Sequence, residues 1–160
     1  IDTTPPVIES VELLDENWRP VETVPPAKRI MLTGNTRIVV RAFDRVDGNP
    51  DRRRLGVFRL GYQVLRKDGS PLTDVNWNIS FDRNPDADAV MTAYAPGSKS
   101  GATGETIFKY VVTNKVGGEV LSEGFLDPKT LGPGEYMVRA FAADFFGNTV
   151  SKDITFEVTK

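Results

Sequence analysis

The sequence predicts an all-β domain, an antiparallel β-sandwich with long loop insertions. Three observations carry that prediction. Short runs of alternating apolar and polar residues recur along the chain, turn-forming residues separate them, and no stretch makes a convincing helix. Successive side chains of a strand point to opposite faces, so alternation marks a strand with one buried side.

The runs follow one another in chain order. In RIVVRAF, Ile38, Val40 and Ala42 oppose Arg37, Val39 and Arg41. In VFRLGYQVL, Phe58, Leu60, Tyr62 and Val64 share a face. RKDGSP then reads as a hairpin turn at Asp68-Gly69. VNWNISF is the cleanest run: Val75, Trp77, Ile79 and Phe81 fall on one side, which places Trp77 in the core. IFKYVVT aligns Phe108, Tyr110 and Val112, and YMVRAFA aligns Tyr136, Val138, Ala140 and Ala142. In VSKDITFEV, Val150, Ile154, Phe156 and Val158 share a face with Lys152. Pro133 and Gly134 limit LDPKTLGPGEY to a single helical turn. Seven or more short strands punctuated by turns argue for two packed sheets. The 160 residues read as one domain, 1–160, with loop-rich insertions at 15–35 and 82–104.

Composition narrows function mainly by exclusion. Apolar residues make up 39% and charged residues 26%, enough to bury a core without disulfide or metal. A net charge of −2 gives no footprint for nucleic acid or an anionic membrane. With no His and no Cys, the commonest general base, thiol nucleophiles and the usual zinc ligands are missing. No apolar run approaches the roughly 20 residues that span a bilayer. The chain opens on Ile1 without an apolar targeting run, and reads as a processed chain or as a piece of a longer one.

Two stretches nearly repeat: VVRAFDRVDGNP at 39–50 and MVRAFAADFFGN at 137–148. Each reaches an Asp after a strand-like run and then a Gly-Asn. Asp, Asn and Gly are turn formers, so two similar strand ends account for the pattern. The functional alternative is a Ca²⁺ site from Asp44, Asp47, Asn49 and Asp51, since hard cations take oxygen ligands.

The stretches also support a resemblance. DTTPPVIESVEL and AADFFGNTVSKDITFEV look like bacterial extracytoplasmic immunoglobulin-like domains. LGVFRLGYQVLRKDG, ISFDRNP, AVMTAYAPGS, TIFKYVVTN and LGPGEYMVRAFAADFFGN, in that order, resemble the accessory β-domain beside lysostaphin-type murein metallopeptidases of Gram-negative bacteria. The resemblance runs from Asp2 to Val158. It implies an immunoglobulin-like sandwich, larger than the roughly 100 residues of a minimal domain of that kind. It also implies a secreted or periplasmic, non-catalytic neighbour of a cell-wall hydrolase. The peptidase half carries zinc on His and Asp; no residue here matches it, so no catalytic residue carries over.

The remaining candidates are weighed residue by residue. In DRNPDAD, Asp82, Asn84, Asp86 and Asp88 recur at every second position, the spacing of the first oxygens of an EF-hand loop. The sixth and twelfth positions, Ala87 and Ala93, lack the required Gly and Glu, so turn formation competes with cation binding. Ca²⁺ is the only cofactor the sequence suggests. Trp18, in the turn-like DENWRP, and Tyr94, in TAYAPGS, are candidate ligand contacts, because exposed rings stack on sugars. GSKSG (97–101) places Ser98, Lys99 and Ser100 together, but neighbours on an extended segment face opposite ways. DRRRLG carries Arg52, Arg53 and Arg54 in a row, the pattern of a solvated turn or of a dock for an acidic partner. NIS at Asn78 matches a glycosylation sequon.

The functional expectation is an extracytoplasmic interaction or spacer module that accompanies a cell-wall metallopeptidase. Its partner is a peptidase domain or another envelope protein. The alternative is a carbohydrate- or peptidoglycan-binding module of the same fold.

Overall fold

The computed structural model describes residues 1–50, 53–101 and 104–159. The described residues are all-β apart from one short helix and a 3-10 turn at Pro128–Thr130. In order, the elements are β1 (Val7–Leu14), β2 (Thr23–Val24), β3 (Arg29–Leu32), β4 (Arg37–Phe43), β5 (Arg59–Arg66), β6 (Asn76–Ser80) and α1 (Ala87–Ala93). They continue with β7 (Lys99–Ser100), β8 (Thr106–Ile107), β9 (Lys109–Val111), β10 (Lys115–Gly117), β11 (Val120–Ser122), β12 (Gly134–Ala143) and β13 (Thr149–Val158).

Three strands form one sheet in the order β1-β4-β9. Eight form another, in the order β11-β10-β6-β5-β12-β13-β3-β2, and β7 and β8 make a separate ribbon. The larger sheet is not purely antiparallel as the sequence suggests. Val116 pairs in parallel with Ile79, and Glu157 and Val158 pair in parallel with Met31 and Leu32. Its backbone is the β12–β13 hairpin, paired without interruption from Gly134 opposite Val158 to Ala143 opposite Thr149.

The core lies where residues of both sheets meet. Ile8, Val11 and Leu13 from β1 and Ile38, Val40 and Ala42 from β4 join Leu60, Val64, Ile79, Val138, Ala140 and Phe156. Each fully buried aliphatic or Phe side chain contributes roughly 1.5–3 kcal/mol relative to exposure. Tyr110 is completely buried, and its hydroxyl accepts a 2.9 Å hydrogen bond from the Val57 N–H, so its polar end is satisfied. The other face of β4 is also covered: Val39 packs with Leu14, Ala95 and Val111 beneath Trp18.

Two sequence expectations fail here. Trp77 is not in the core. Leu60 pairs with Ile79 but Tyr62 pairs with Asn76, so β6 spends three residue steps against two on β5. That extra residue reverses the alternation beyond Ile79. Trp77 lies half-buried instead, 5.9 Å from the Phe141 ring and under the Arg59 guanidinium at 4.1 Å. Gly61 permits the close approach at this point, since a Cβ there would meet the Asn76 carbonyl oxygen at 2.2 Å.

The second failure is α1, inside the expected 82–104 loop. Asp86 caps it, accepting from the Ala89 N–H at 2.9 Å. An Asp cap followed by Ala, Val, Met and Ala is a workable helix start. Only the small residues Ala89 and Ala93 face inward, too little apolar surface to print a helical period. The 15–35 insertion likewise holds the short strands β2 and β3.

Candidate functional site

Two regions collect the polar and aromatic residues of interest. At the first, the two VRAF strand ends converge. Asp44 follows β4 and Asp144 follows β12; with Asp2 they form the one set of three carboxylates, among the described residues, whose oxygens lie within 4.8 Å of one another. All three side chains are buried.

The fold supplies most of their partners. Asp144 accepts from the Asn148 N–H at 2.9 Å and from its Nδ2 at 2.7 Å. The same Nδ2 donates to the Asp2 carbonyl at 3.0 Å, tying the N-terminal segment to the β12–β13 turn. Asp2 Oδ1 accepts from the Asp47 and Thr4 N–H groups, and Asp44 Oδ1 from the Arg45 N–H. Burial, reinforced by the charges of Asp144 and Asp2, pushes the Asp44 carboxyl up to about 6 against the opposing Arg45 hydrogen bond. Asp47 goes the other way: the hydroxyls of Thr4 and Thr3 and the Thr3 N–H hold it well below the usual carboxylate range. Three carboxylates could take a hard cation, which wants roughly six to eight oxygens. Here four of the six carboxylate oxygens already accept N–H bonds.

The set differs from both sequence candidates. Asp47 binds Thr3 and Thr4 instead of joining Asp44, and Asp51 lies outside the described residues. Asp82, Asn84, Asp86 and Asp88 do not converge as an EF-hand-like loop: Asp86 caps α1, Asp88 sits exposed in its first turn, and Asp82, Asn84 and Asp86 line a recess of about 280 Å³ with Arg83. Sequence reasoning missed Asp2 and Asp144; the repeated VRAF words pointed to Asp144, and nothing local marked Asp2.

The second region is an apolar groove of about 570 Å³. Val90, Met91 and Tyr94 line one side, Ile107 and Phe108 another, and residues 95–100 and Trp18 complete it. Both sequence-predicted contacts, Trp18 and Tyr94, therefore meet in one site. The DENWRP turn builds the Trp18 wall: the Asp15 carboxylate accepts from the Asn17 and Arg19 N–H groups, at 2.8 and 3.0 Å. Trp18 itself has φ of 64°, a left-handed conformation that bulky residues rarely adopt. The buried Arg37 guanidinium stacks 4.0 Å from the Trp18 ring centroid and 4.7 Å from that of Phe125. Tyr94 is half-buried, stacked 6.2 Å from Phe81 and tilted against Tyr110 at 5.0 Å, and burial raises the pKa of its phenol. The groove thus has a firm aromatic floor and an exposed rim, with Met91 81% exposed.

The Ser98 hydroxyl in its wall is already engaged. The Ser98 hydroxyl donates to the Ala95 carbonyl at 2.9 Å and accepts from the Lys109 N–H at 3.2 Å. Asn78 and Arg54 are also engaged within the fold. Asn78 of the sequon donates to the Val112 carbonyl at 2.8 Å. Arg54 pairs with Glu9 and Glu105, and Arg52 lies outside the described residues.

No family model, curated protein or solved structure matches this chain. Function therefore rests on the geometry. No helix among the described residues is long and apolar enough to cross a membrane.

Proposed function

We propose that the chain is a non-catalytic interaction or spacer module with an immunoglobulin-like β-sandwich fold. In this reading it works outside the cytoplasm, beside a cell-wall metallopeptidase, and its working surface is the groove between Trp18, α1 and Phe108. The observation that carries the reading is the groove itself. It leaves about 570 Å³ of mostly apolar space unfilled, floored by rings that the fold holds in place. Apolar concavities with a few polar groups are the usual form of binding sites. Missing His and Cys, with Ser98 and the buried carboxylates engaged in internal hydrogen bonds, speak against chemistry. The placement beside a peptidase rests on the sequence resemblance alone.

A photo-crosslinking side chain at Met91, in the native envelope, tests this. The expected product is a crosslink to a peptidase region or to another envelope protein, absent from a control at exposed Thr130. Equal labelling from both positions contradicts the reading. The second reading, a peptidoglycan-binding module, is favoured by the two rings in the groove. It predicts pelleting with purified peptidoglycan that is lost in Trp18→Ala; the interaction module stays in the supernatant.

A further inference from the structure

The chain carries 22 acidic residues against 20 basic ones, yet no carboxylate of the described residues lines the groove. Among the described residues, its one charged lining residue is Lys99. A second ammonium stands at the rim: Lys109 Nζ lies 3.3 Å from where a side chain at Gly97 would begin, and Gly97 lines the groove. No carboxylate of the described residues lies within ion-pair distance of either lysine; the one lysine so paired is Lys67, with Glu135. A groove whose only charges are cations complements an anionic ligand.

The walls specify the rest of that ligand. Val90, Met91, Ile107 and Phe108 offer aliphatic and aromatic surface. The polar capacity that a sugar would need is small, because Ser98 already bonds Ala95 and Lys109. Backbone capacity is larger. β7 contributes Lys99 and Ser100 to the groove lining, and it pairs only with β8, through Lys99 opposite Ile107 and Ser100 opposite Thr106. Its other edge has no strand partner among the described residues. An unpaired edge beside apolar pockets is how sheets take up extended peptides: main-chain hydrogen bonds give affinity, and alternate side chains enter the pockets.

We propose that the groove takes an extended peptide with apolar side chains flanked by carboxylates, laid along the open edge of β7. Lys99 and Lys109 receive the carboxylates, and Val90, Met91, Tyr94 and Phe108 receive the apolar side chains. This rests on the groove being the working surface, as proposed above, and adds the chemistry of the partner.

The probes are two blocked peptides, acetyl-Glu-Ser-Leu-Ser-Phe-Ser-Glu-amide, which when extended puts both Glu, Leu and Phe on one face, and its counterpart with both Glu replaced by Gln, titrated into the ¹⁵N-labelled chain. The expected result is that both perturb the amides of residues 90–100 and 107–109, the Glu peptide binding about five-fold tighter at low salt. That preference should shrink in about 0.5 M NaCl, where charges are screened beyond a few ångströms. It should also fall by at least half in Lys99→Gln, an exposed position whose replacement leaves the fold intact, and vanish in the double variant with Lys109→Gln. Equal affinity of the two peptides for the wild-type groove overturns the acidic-peptide proposal while leaving the groove as an interaction surface. Perturbation by neither peptide, with a well-dispersed spectrum, overturns the proposal and removes support for the groove reading as well.

Discussion

The carboxylate cluster and the groove make opposite use of their side chains. At the cluster, three buried acids meet, and Asn148, Asp47, Thr4 and Arg45 supply donors from within the chain. In the groove, rings are positioned by Arg37, Phe81 and Tyr110, but the surface they present is left uncovered. Polar groups consumed by the fold act on stability; apolar groups left facing solvent are free to act on a partner. The contrast predicts that damage to the first region unfolds the chain without altering binding, and that damage to the groove rim does the reverse.

The largest effect should come from Asn148→Ala. It removes two donors from Asp144 Oδ2 and the Asp2 carbonyl and leaves a buried carboxylate oxygen without its partner. Loss of about 2–3 kcal/mol in urea unfolding is expected, with unchanged affinity of the folded fraction for an acidic apolar peptide. Weaker binding in the folded fraction would break the separation between the two regions.

Arg37→Ala should cost about 2 kcal/mol, because it removes a buried guanidinium stacked between Trp18 and Phe125 and ion-paired with Glu123 at 3.6 Å. It acts beneath the groove alone: Trp18 loses its support, so its emission should move to longer wavelength and peptide binding should weaken. An unchanged Trp environment would show that the turn alone holds the ring.

Asp44 sharpens the comparison through pH. Its folded-state carboxyl titrates near 6, above the ordinary 3.8. The folded state therefore binds the extra proton between about pH 4 and pH 6, and stability falls as pH rises through that window. With partial solvent screening, the loss is on the order of 1 kcal/mol. Thermal melts in chelator should show this slope for the wild type, and Asp44→Asn should flatten it and be more stable at pH 7. Because depressed carboxylates such as Asp47 tilt the curve the other way, the comparison with Asp44→Asn is the test: midpoints of the two chains that run parallel across pH 4–6 would refute this account of Asp44.

The smallest stability effect belongs to the rim. Met91→Ser removes an exposed side chain and should leave the midpoint within about 0.5 kcal/mol, while peptide binding falls several-fold. A large destabilisation would place Met91 in the core's service after all.

How much of this was legible in the sequence follows from range. Strands were legible because a two-residue period is local: Ile38, Val40 and Ala42, or Val138, Ala140 and Ala142, lie in the core as their alternation requires. Trp77 misled because a bulge depends on the partner strand, and VNWNISF contains no sign of β5. Helix α1 was hidden because its buried face is two alanines. Trp18 and Tyr94 were legible as unusual aromatics in turn-rich segments; their meeting in one groove was not, since it depends on how the turn after β1 sits beside α1 and β8. The carboxylates show the same limit. Asp82 to Asp88 drew notice through spacing, whereas Asp2, Asp44 and Asp144 assemble from three distant segments.

The central claim is that the open apolar groove, and not the buried acidic end, is where this chain meets a partner. An amide perturbation map with acetyl-Glu-Ser-Leu-Ser-Phe-Ser-Glu-amide reads it directly. The account predicts that shifts concentrate at Trp18, residues 90–100 and residues 107–109. Shifts centred on Asp2, Asp44 and Asn148, with the groove silent, would contradict it.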